Sequence, residues 1–261
     1  MVVRPLTDRP GLNQERRLWR AGHRWVAGLD EVGRGAWAGP VSVGVAVIRP
    51  GVTSRSLPLW LRDSKLLAED RRESVFDEIA AWCVDGAVGH ATAAECDRWG
   101  MTAALRLAAL RALDGLEITP DAVLVDGPHD LLRDRSVPVA ADDASGTEQL
   151  ALPGLGRFPA LGDDELPAVR PPATVVPVVD GDALCASVAA ASVLAKVVRD
   201  RHMREEAGHF PAYAFDRNKG YPSRTHQAAL RGYGLSSIHR RSWAFVDDLP
   251  WRSPSPVAAN L

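Results

Sequence analysis

Val41, Val43, Val45 and Val47 alternate with Ser42, Gly44 and Ala46. A strict period of two puts four β-branched side chains on one face of a strand. The apolar run Trp25–Leu29 lies just before it and ends in Asp30 and Glu31, and Gly33-Arg34-Gly35 supplies a turn between them. The pair reads as a hairpin at the start of a sheet. A third strand is expected over 84–91, a short buried one over Ala122–Val125, and a β-branched one over Thr174–Val179. Helices are expected over Ala68–Trp82, over Thr92–Leu113 with a break near Gly100, and over Ala183–Glu206, where Asp182 is placed to cap. One short helix is expected near His226–Arg231. Strands interleaved with helices give a mixed α/β sheet. The polar residues 1–22 read as an N-terminal extension, 23–247 as the folded part and 248–261 as a tail.

Charge is distributed unevenly along this frame. The formal net charge is −2, which on its face disfavours a nucleic-acid partner. Between Pro128 and Pro172, however, eight acids face four arginines, and seven prolines accompany them. The stretch 128–174 reads as an acidic, proline-rich insertion. Between Ala183 and Phe245, ten lysines or arginines face four acids. A basic C-terminal third of this kind can meet phosphates, or simply be a solvated face. Lysine occurs only at Lys65, Lys196 and Lys219.

Several classes are disfavoured. No run of 18 apolar residues is present, so no membrane span is expected. The first twenty residues lack the apolar core of a secretory signal. Cys83, Cys96 and Cys185 form no CxxC pair, so a reducing, cytoplasmic setting is expected. Gly28–Arg34 fails as a P-loop because Arg34 and Gly35 replace the Lys and Ser/Thr. No G-x-S-x-G or H-E-x-x-H occurs.

Four acids share one situation. Asp30, Glu31 and Asp126 each follow an apolar strand run, and Asp182 stands between a strand and a helix. In α/β sheets ligands bind beyond the strand ends. Carboxylates converging there are hard ligands suited to Mg²⁺ or Mn²⁺. Each acid alone also reads as ordinary turn or cap chemistry. Side chains alternate along a strand, so aiming both Asp30 and Glu31 at one site needs a break, which the following glycines permit.

The string Gly28-Leu-Asp-Glu-Val-Gly-Arg-Gly-Ala-Trp-Ala-Gly-Pro-Val41 resembles the N-terminal signature of the ribonuclease HII family. Further motifs follow in order: Asp63-Ser64-Lys65, Asp126-Gly127, Gly181-Asp182, Ala189–Ser192 with Ala195-Lys196 and Arg199-Asp200, and Lys219-Gly220-Tyr221 with His226 and His239-Arg240. They span about residues 23–247, and all three lysines fall inside them. The resemblance implies an RNase H-like mixed β-sheet flanked by helices, with a smaller helical C-terminal region. It implies a monomeric, cytoplasmic endonuclease that hydrolyses the RNA strand of RNA–DNA hybrids and nicks duplex DNA 5′ of a single embedded ribonucleotide, by two-metal-ion catalysis with Mg²⁺ or Mn²⁺. Under it Asp30, Glu31, Asp126 and Asp182 are the metal-binding acids. Gly33, Arg34 and Gly35 sense the ribose 2′-hydroxyl, and Tyr221 packs on the neighbouring sugar. Ser64, Lys65, Ser192 and Lys196 contact phosphates. His226 is left open, as are Arg199, Arg240 and Arg241 between phosphate contacts and internal ion pairs; Trp37 is expected to pack. Asp126 and Asp182 stand further apart than is usual in that family because of the insertion. The alternatives are a hybrid nuclease indifferent to RNA–DNA junctions, a catalytically dead binding module and an anion-binding domain.

Overall fold

The computed structural model describes residues 9–58, 61, 68–132, 150–151, 157–158 and 171–249. The elements run in the order α1 (Asn13–Arg20), β1 (Val26–Val32), β2 (Val41–Ile48), α2 (Glu69–Trp82), β3 (Asp85–Ala91), α3 (Ala93–Trp99), α4 (Met101–Asp114), β4 (Ala122–Asp126), β5 (Leu150–Ala151), β6 (Arg157–Phe158), β7 (Thr174–Val178), α5 (Gly181–Leu184), α6 (Ala186–His209), α7 (Phe215–Asn218) and α8 (Arg224–Tyr233). Five strands form one sheet in the order β3-β2-β1-β4-β7, and β5 pairs with β6 separately. The β1–β2 and β2–β3 pairs are antiparallel, while β1–β4 and β4–β7 are parallel. The expected mixed α/β sheet is therefore present, with its hairpin as the antiparallel half.

The alternation of β2 is realised as two-sided burial. Val41, Val43, Val45 and Val47 pack with α4 and with Leu29 and Val125, while Ala46 and Ile48 face α2 and α6. A sheet covered on both faces accounts for the fully buried β2. Gly28 fixes how closely α6 lies on the sheet: a Cβ there would stand 2.2 Å from the carbonyl carbon of Ser187. Thr92 opens α3 with a capping box, accepting from the Glu95 amide while the Glu95 side chain accepts from the Thr92 amide.

Two expectations are corrected. Residues 13–20, read as part of a polar extension, form α1, whose Leu18 is buried and whose Glu15 accepts hydrogen bonds from the amide and hydroxyl of Ser187 at 3.0 and 2.9 Å. Asp182 does not cap the long helix. It lies inside the short turn α5, and α6 starts after Cys185. That turn brings the Asp182 carboxyl close enough to Asp30 for its charge to act there. The motif Asp63-Ser64-Lys65 and most of the 128–174 insertion lie outside the described residues.

Candidate active site

The acids collect where the parallel strands end. Leu29 pairs with Val125, so Asp30 and Asp126 follow as the next residues of neighbouring strands. The Gly181 amide donates to Asp126 Oδ1 at 2.7 Å and ties the α5 turn, with Asp182, to the end of β4. Asp30 lies on the α6 side, the side of Gly28, where it bonds to the Ser192 hydroxyl. The Glu31 amide donates to Asp30 Oδ1 at 2.8 Å. Asp30 and Asp182 are each only 5% exposed, and Glu31 and Asp126 are half-buried. Burial pushes the Asp30 carboxyl up to about 8; the Ser192 bond opposes this, while the charges of Asp126, Glu31 and Asp182 add to it. Three other carboxylates thus act on one buried carboxyl, an arrangement that a cation would relieve.

Glu31 keeps its ladder place opposite Val43, and β1 stays regular to Val32. The expected backbone break falls after both acids, at Gly33, where φ is +85°. Asp30 and Glu31 therefore leave opposite faces of the strand, and Glu31 reaches the cleft from the solvent edge. Among the described residues no three His, Cys, Asp or Glu side chains are already drawn onto one point. The all-oxygen donor set suits a divalent ion.

The same cleft is lined by Val32, Gly33, Arg34, Gly35, Ser192, Lys196 and Tyr221. The loop between β1 and β2 forms its rim and is held from beneath by two buried arginines. Arg240 donates to the carbonyls of Gly33 (2.7 Å), Arg34 (2.9 Å) and Gly39 (3.2 and 3.3 Å). Arg199 donates to those of Pro40 (2.9 Å), Lys219 (2.9 Å) and Ala38 (3.4 Å). Burial lowers the Arg199 guanidinium only to about 10, so it stays charged. A Cβ on Gly33 would stand 2.2 Å from Arg199 Nε, so the clamp requires glycine there. Tyr221 completes the rim: its hydroxyl accepts from the Gly33 amide at 3.1 Å, and its ring lies 5.4 Å from the Arg199 guanidinium.

Comparison with known proteins decides the assignment. The family model described as Ribonuclease HII matches residues 27–140 and 162–246. The chain belongs to the ribonuclease HII family. A Ribonuclease HII of Streptomyces avermitilis is 42% identical over 232 residues, covering 88% of this chain and 82% of that protein. One from Thermus thermophilus is 40% identical over 240 residues, covering 92% and 96%. Among solved structures, the ribonuclease H2 from Pyrococcus horikoshii superposes with a TM-score of 0.63 at 27% identity, covering 86% of this chain and 96% of that one. Membership makes the chain a ribonuclease H-type hydrolase of a divalent-metal-dependent family with an RNase H-like fold. The matched residues omit 141–161, which lie inside the acidic, proline-rich stretch.

Within this ribonuclease HII frame the other expected residues are placed as follows. Ser192 is 2% exposed, bonds to Asp30 and lines the cleft. Lys196 lines the cleft and pairs with Asp200, which also meets Arg72 at 3.4 Å. Lys219 is buried, with its ammonium on Glu69 at 3.0 Å and on the Asp216 carbonyl. Trp37 stacks on Phe245 at 4.2 Å, as expected of a packing residue. The Arg241 amide binds Asp97 at 2.8 Å, and its side chain is exposed. The question left open for Arg199 and Arg240 has an answer that neither alternative covered: both grip main-chain carbonyls. The available signal was the spacing Ser192, Lys196, Arg199, Met203, which puts all four on one stripe of α6 running from Asp30 to the loop.

Proposed function

We propose that the chain hydrolyses the RNA strand of RNA–DNA hybrids and nicks duplex DNA 5′ of a single embedded ribonucleotide, leaving 3′-hydroxyl and 5′-phosphate ends. The observation that carries this reading is the hydrogen bond between the Tyr221 hydroxyl and the Gly33 amide, on the rim of the cleft that holds Asp30 and Asp126. A close-approaching glycine backbone can meet a ribose 2′-hydroxyl, the group that marks RNA. The flat face of Tyr221 suits a neighbouring sugar. Both recognition elements stand beside the carboxylates, so the bond selected and the bond cut would lie in one cleft.

Asp30, Glu31, Asp126 and Asp182 would hold two divalent cations, Mg²⁺ or Mn²⁺, whose Lewis acidity supports phosphodiester hydrolysis by water without a protein nucleophile. The protein's own part is positional. The α5 turn and the Gly181 amide hold the Asp126 carboxylate. The Ser192 hydroxyl and the Glu31 amide orient Asp30. Lys196, now on Asp200, and Arg34 are the cations lining the cleft that could meet a backbone phosphate. Residues 23–247 would carry this function, with 128–174 an insertion that the chemistry does not require. No helix among the described residues is long and apolar enough to cross a membrane.

The test is a nicking assay on duplex DNA containing one ribonucleotide, with Mg²⁺ and Mn²⁺ compared. Cutting 5′ of the ribonucleotide supports the reading. Asp126→Asn should abolish cleavage while duplex binding persists, and full activity in that variant overturns the acid assignment. Tyr221→Ala should reduce nicking at a lone ribonucleotide more than cleavage of a long hybrid. An equal loss on both substrates would remove Tyr221 from junction recognition.

A further inference from the structure

His226 and His239 are fully enclosed, 0% and 1% exposed, among the rings of Tyr213, Phe215 and Trp37. Their Nε2 atoms face each other at 2.9 Å. The far ends of the pair set its direction. The Ser236 amide donates to His239 Nδ1 at 2.9 Å, so that nitrogen must accept. His239 Nε2 then carries the proton and donates to His226 Nε2. His226 Nδ1 in turn carries its proton and donates to the Tyr221 carbonyl at 3.0 Å. A second proton on His226 would set two N–H groups against each other across the 2.9 Å contact, and one on His239 would meet the Ser236 amide, leaving only the Ser236 hydroxyl, 2.7 Å away, to accept it. Burial accordingly pushes His239 down to about 3 and His226 below its ordinary value.

The segment carrying His239 also holds the loop. Ala38 pairs with His239 as an isolated antiparallel bridge, the Gly39 amide donates to the Ile238 carbonyl at 2.8 Å, and Arg240 clamps Gly33, Arg34 and Gly39. The Tyr221 amide is separately tied to the Asn218 carbonyl at 2.8 Å. Residues 236–240 thus touch both halves of the cleft rim: Gly33–Gly39 through the main chain and Arg240, and Tyr221 through the two imidazoles.

We propose that His226 and His239 are positioning residues that fix Tyr221 relative to the Gly33–Gly35 loop, and so set discrimination between a lone ribonucleotide and a continuous hybrid. The positional part stands on the hydrogen-bond chain; the discrimination part rests on the junction reading of Tyr221 given above. The chain works only with both rings neutral and in fixed tautomers, so it behaves as a rigid strut with one allowed length. Neither ring reaches the carboxylates, so losing the strut should alter the rim and leave the acid cluster in place.

The experiment pairs His226→Ala with His226→Asn, whose amide nitrogen replaces Nδ1 and keeps the donor to the Tyr221 carbonyl. Two quantities are read in each. The first is the Gly33 amide signal in the NMR spectrum, which reports the bond to the Tyr221 hydroxyl. The second is the ratio of kcat/KM on a single-ribonucleotide duplex to that on a long hybrid, measured with Tyr221→Ala alongside. The expected result is that His226→Ala shifts the Gly33 signal and lowers the ratio about tenfold, and that His226→Asn, which keeps the donor to Tyr221 but has no Nε2 to meet His239, shifts both in the same direction by less. An unmoved Gly33 signal in His226→Ala overturns the proposal, as does a His226→Asn protein with wild-type values for both readouts. If His226→Ala fails to fold, His226→Asn with His239→Asn serves. That double variant keeps the donor to Tyr221 and the acceptor for Ser236 but cuts the link between the rings, and wild-type values for both readouts would overturn the strut. If Tyr221→Ala leaves the ratio unchanged, the junction reading falls and the discrimination part with it, while the Gly33 signal still decides the positional part.

Discussion

Replacing Asp30 by Asn should stabilise the metal-free protein at neutral and alkaline pH and do almost nothing in acid. Asn keeps the volume of Asp and an oxygen to accept from the Glu31 amide. What it removes is a charge held 5% exposed among Asp126, Glu31 and Asp182. The carboxyl ordinarily titrates near 3.8 and in the folded chain near 8. A folded-state value above the unfolded one contributes stability that is fully present below the unfolded value and is lost as pH rises through the folded one. The loss therefore falls between about pH 4 and pH 8. At 1.36 kcal/mol per pH unit the rigid site would forfeit on the order of 5 kcal/mol across that window. Rotation of the carboxylate toward the open cleft recovers part of it, leaving roughly 2–4 kcal/mol. For a chain of this size that is about 5–15 °C in Tm. The assay is thermal or urea unfolding in chelator at pH 3.5, 6 and 9, with the wild type and the variant compared at each pH. The buried histidines titrate in both proteins and cancel in the difference. Adding Mn²⁺ at pH 7.5 should raise the Tm of the wild type more than that of the variant, because the ion meets the charge that Asn lacks. A stability difference that is constant from pH 3.5 to 9 would refute the reasoning.

Arg240→Lys should cost about 2–4 kcal/mol in urea unfolding and most of the cleavage activity, because one ammonium cannot serve the three carbonyls that the guanidinium reaches; unchanged activity would show that the loop holds itself. Gly28→Ala should destabilise by roughly 1–3 kcal/mol, since its Cβ would meet the Ser187 backbone of α6, and should weaken activity by moving Ser192 from Asp30; a wild-type melting temperature would refute the close approach. Burial lowers His90 and His239 to about 3 and His202 to about 4. Their contribution is present above pH 6.5 and lost as pH falls toward 3, so wild-type stability should drop by at least about 1 kcal/mol per pH unit below 6.5 even against the opposing Asp30; equilibrium urea titrations at pH 6.5, 5.5 and 4.5 check this, and a flat profile would refute it.

The strands and the strand-end acids Asp30, Glu31 and Asp126 were legible because their information is local. Val41–Val47 alternate within seven residues, and Asp30 and Asp126 end apolar runs that parallel pairing brings side by side. What escaped was carried by partners far along the chain or without an identity in the sequence. Residues 13–20 read as polar extension because the reason they fold, Glu15 on Ser187, lies 172 positions away. Asp182 read as a cap because capping is the local rule, and the short turn that redirects it is set by the Gly181 amide on Asp126. Arg199 and Arg240 could not be assigned because their acceptors are backbone carbonyls, which no residue type announces.

The same point changes what the basic C-terminal third means. Its charges suggested a surface for phosphates, yet many of them are engaged inside the protein. Arg199, Arg240 and Lys219 are buried, Lys196 sits on Asp200, and Arg201 and Arg204 pair with Glu73 and Glu69. A buried guanidinium aimed at carbonyls cannot itself touch a phosphate, but it stiffens the loop it grips. Arginine suits that task better than lysine because its planar donors reach several acceptors at once. The basic segment is thus in large part a scaffold that presents Gly33–Gly35 and Tyr221, and selectivity would come from the shape of that rim more than from the charge count beneath it.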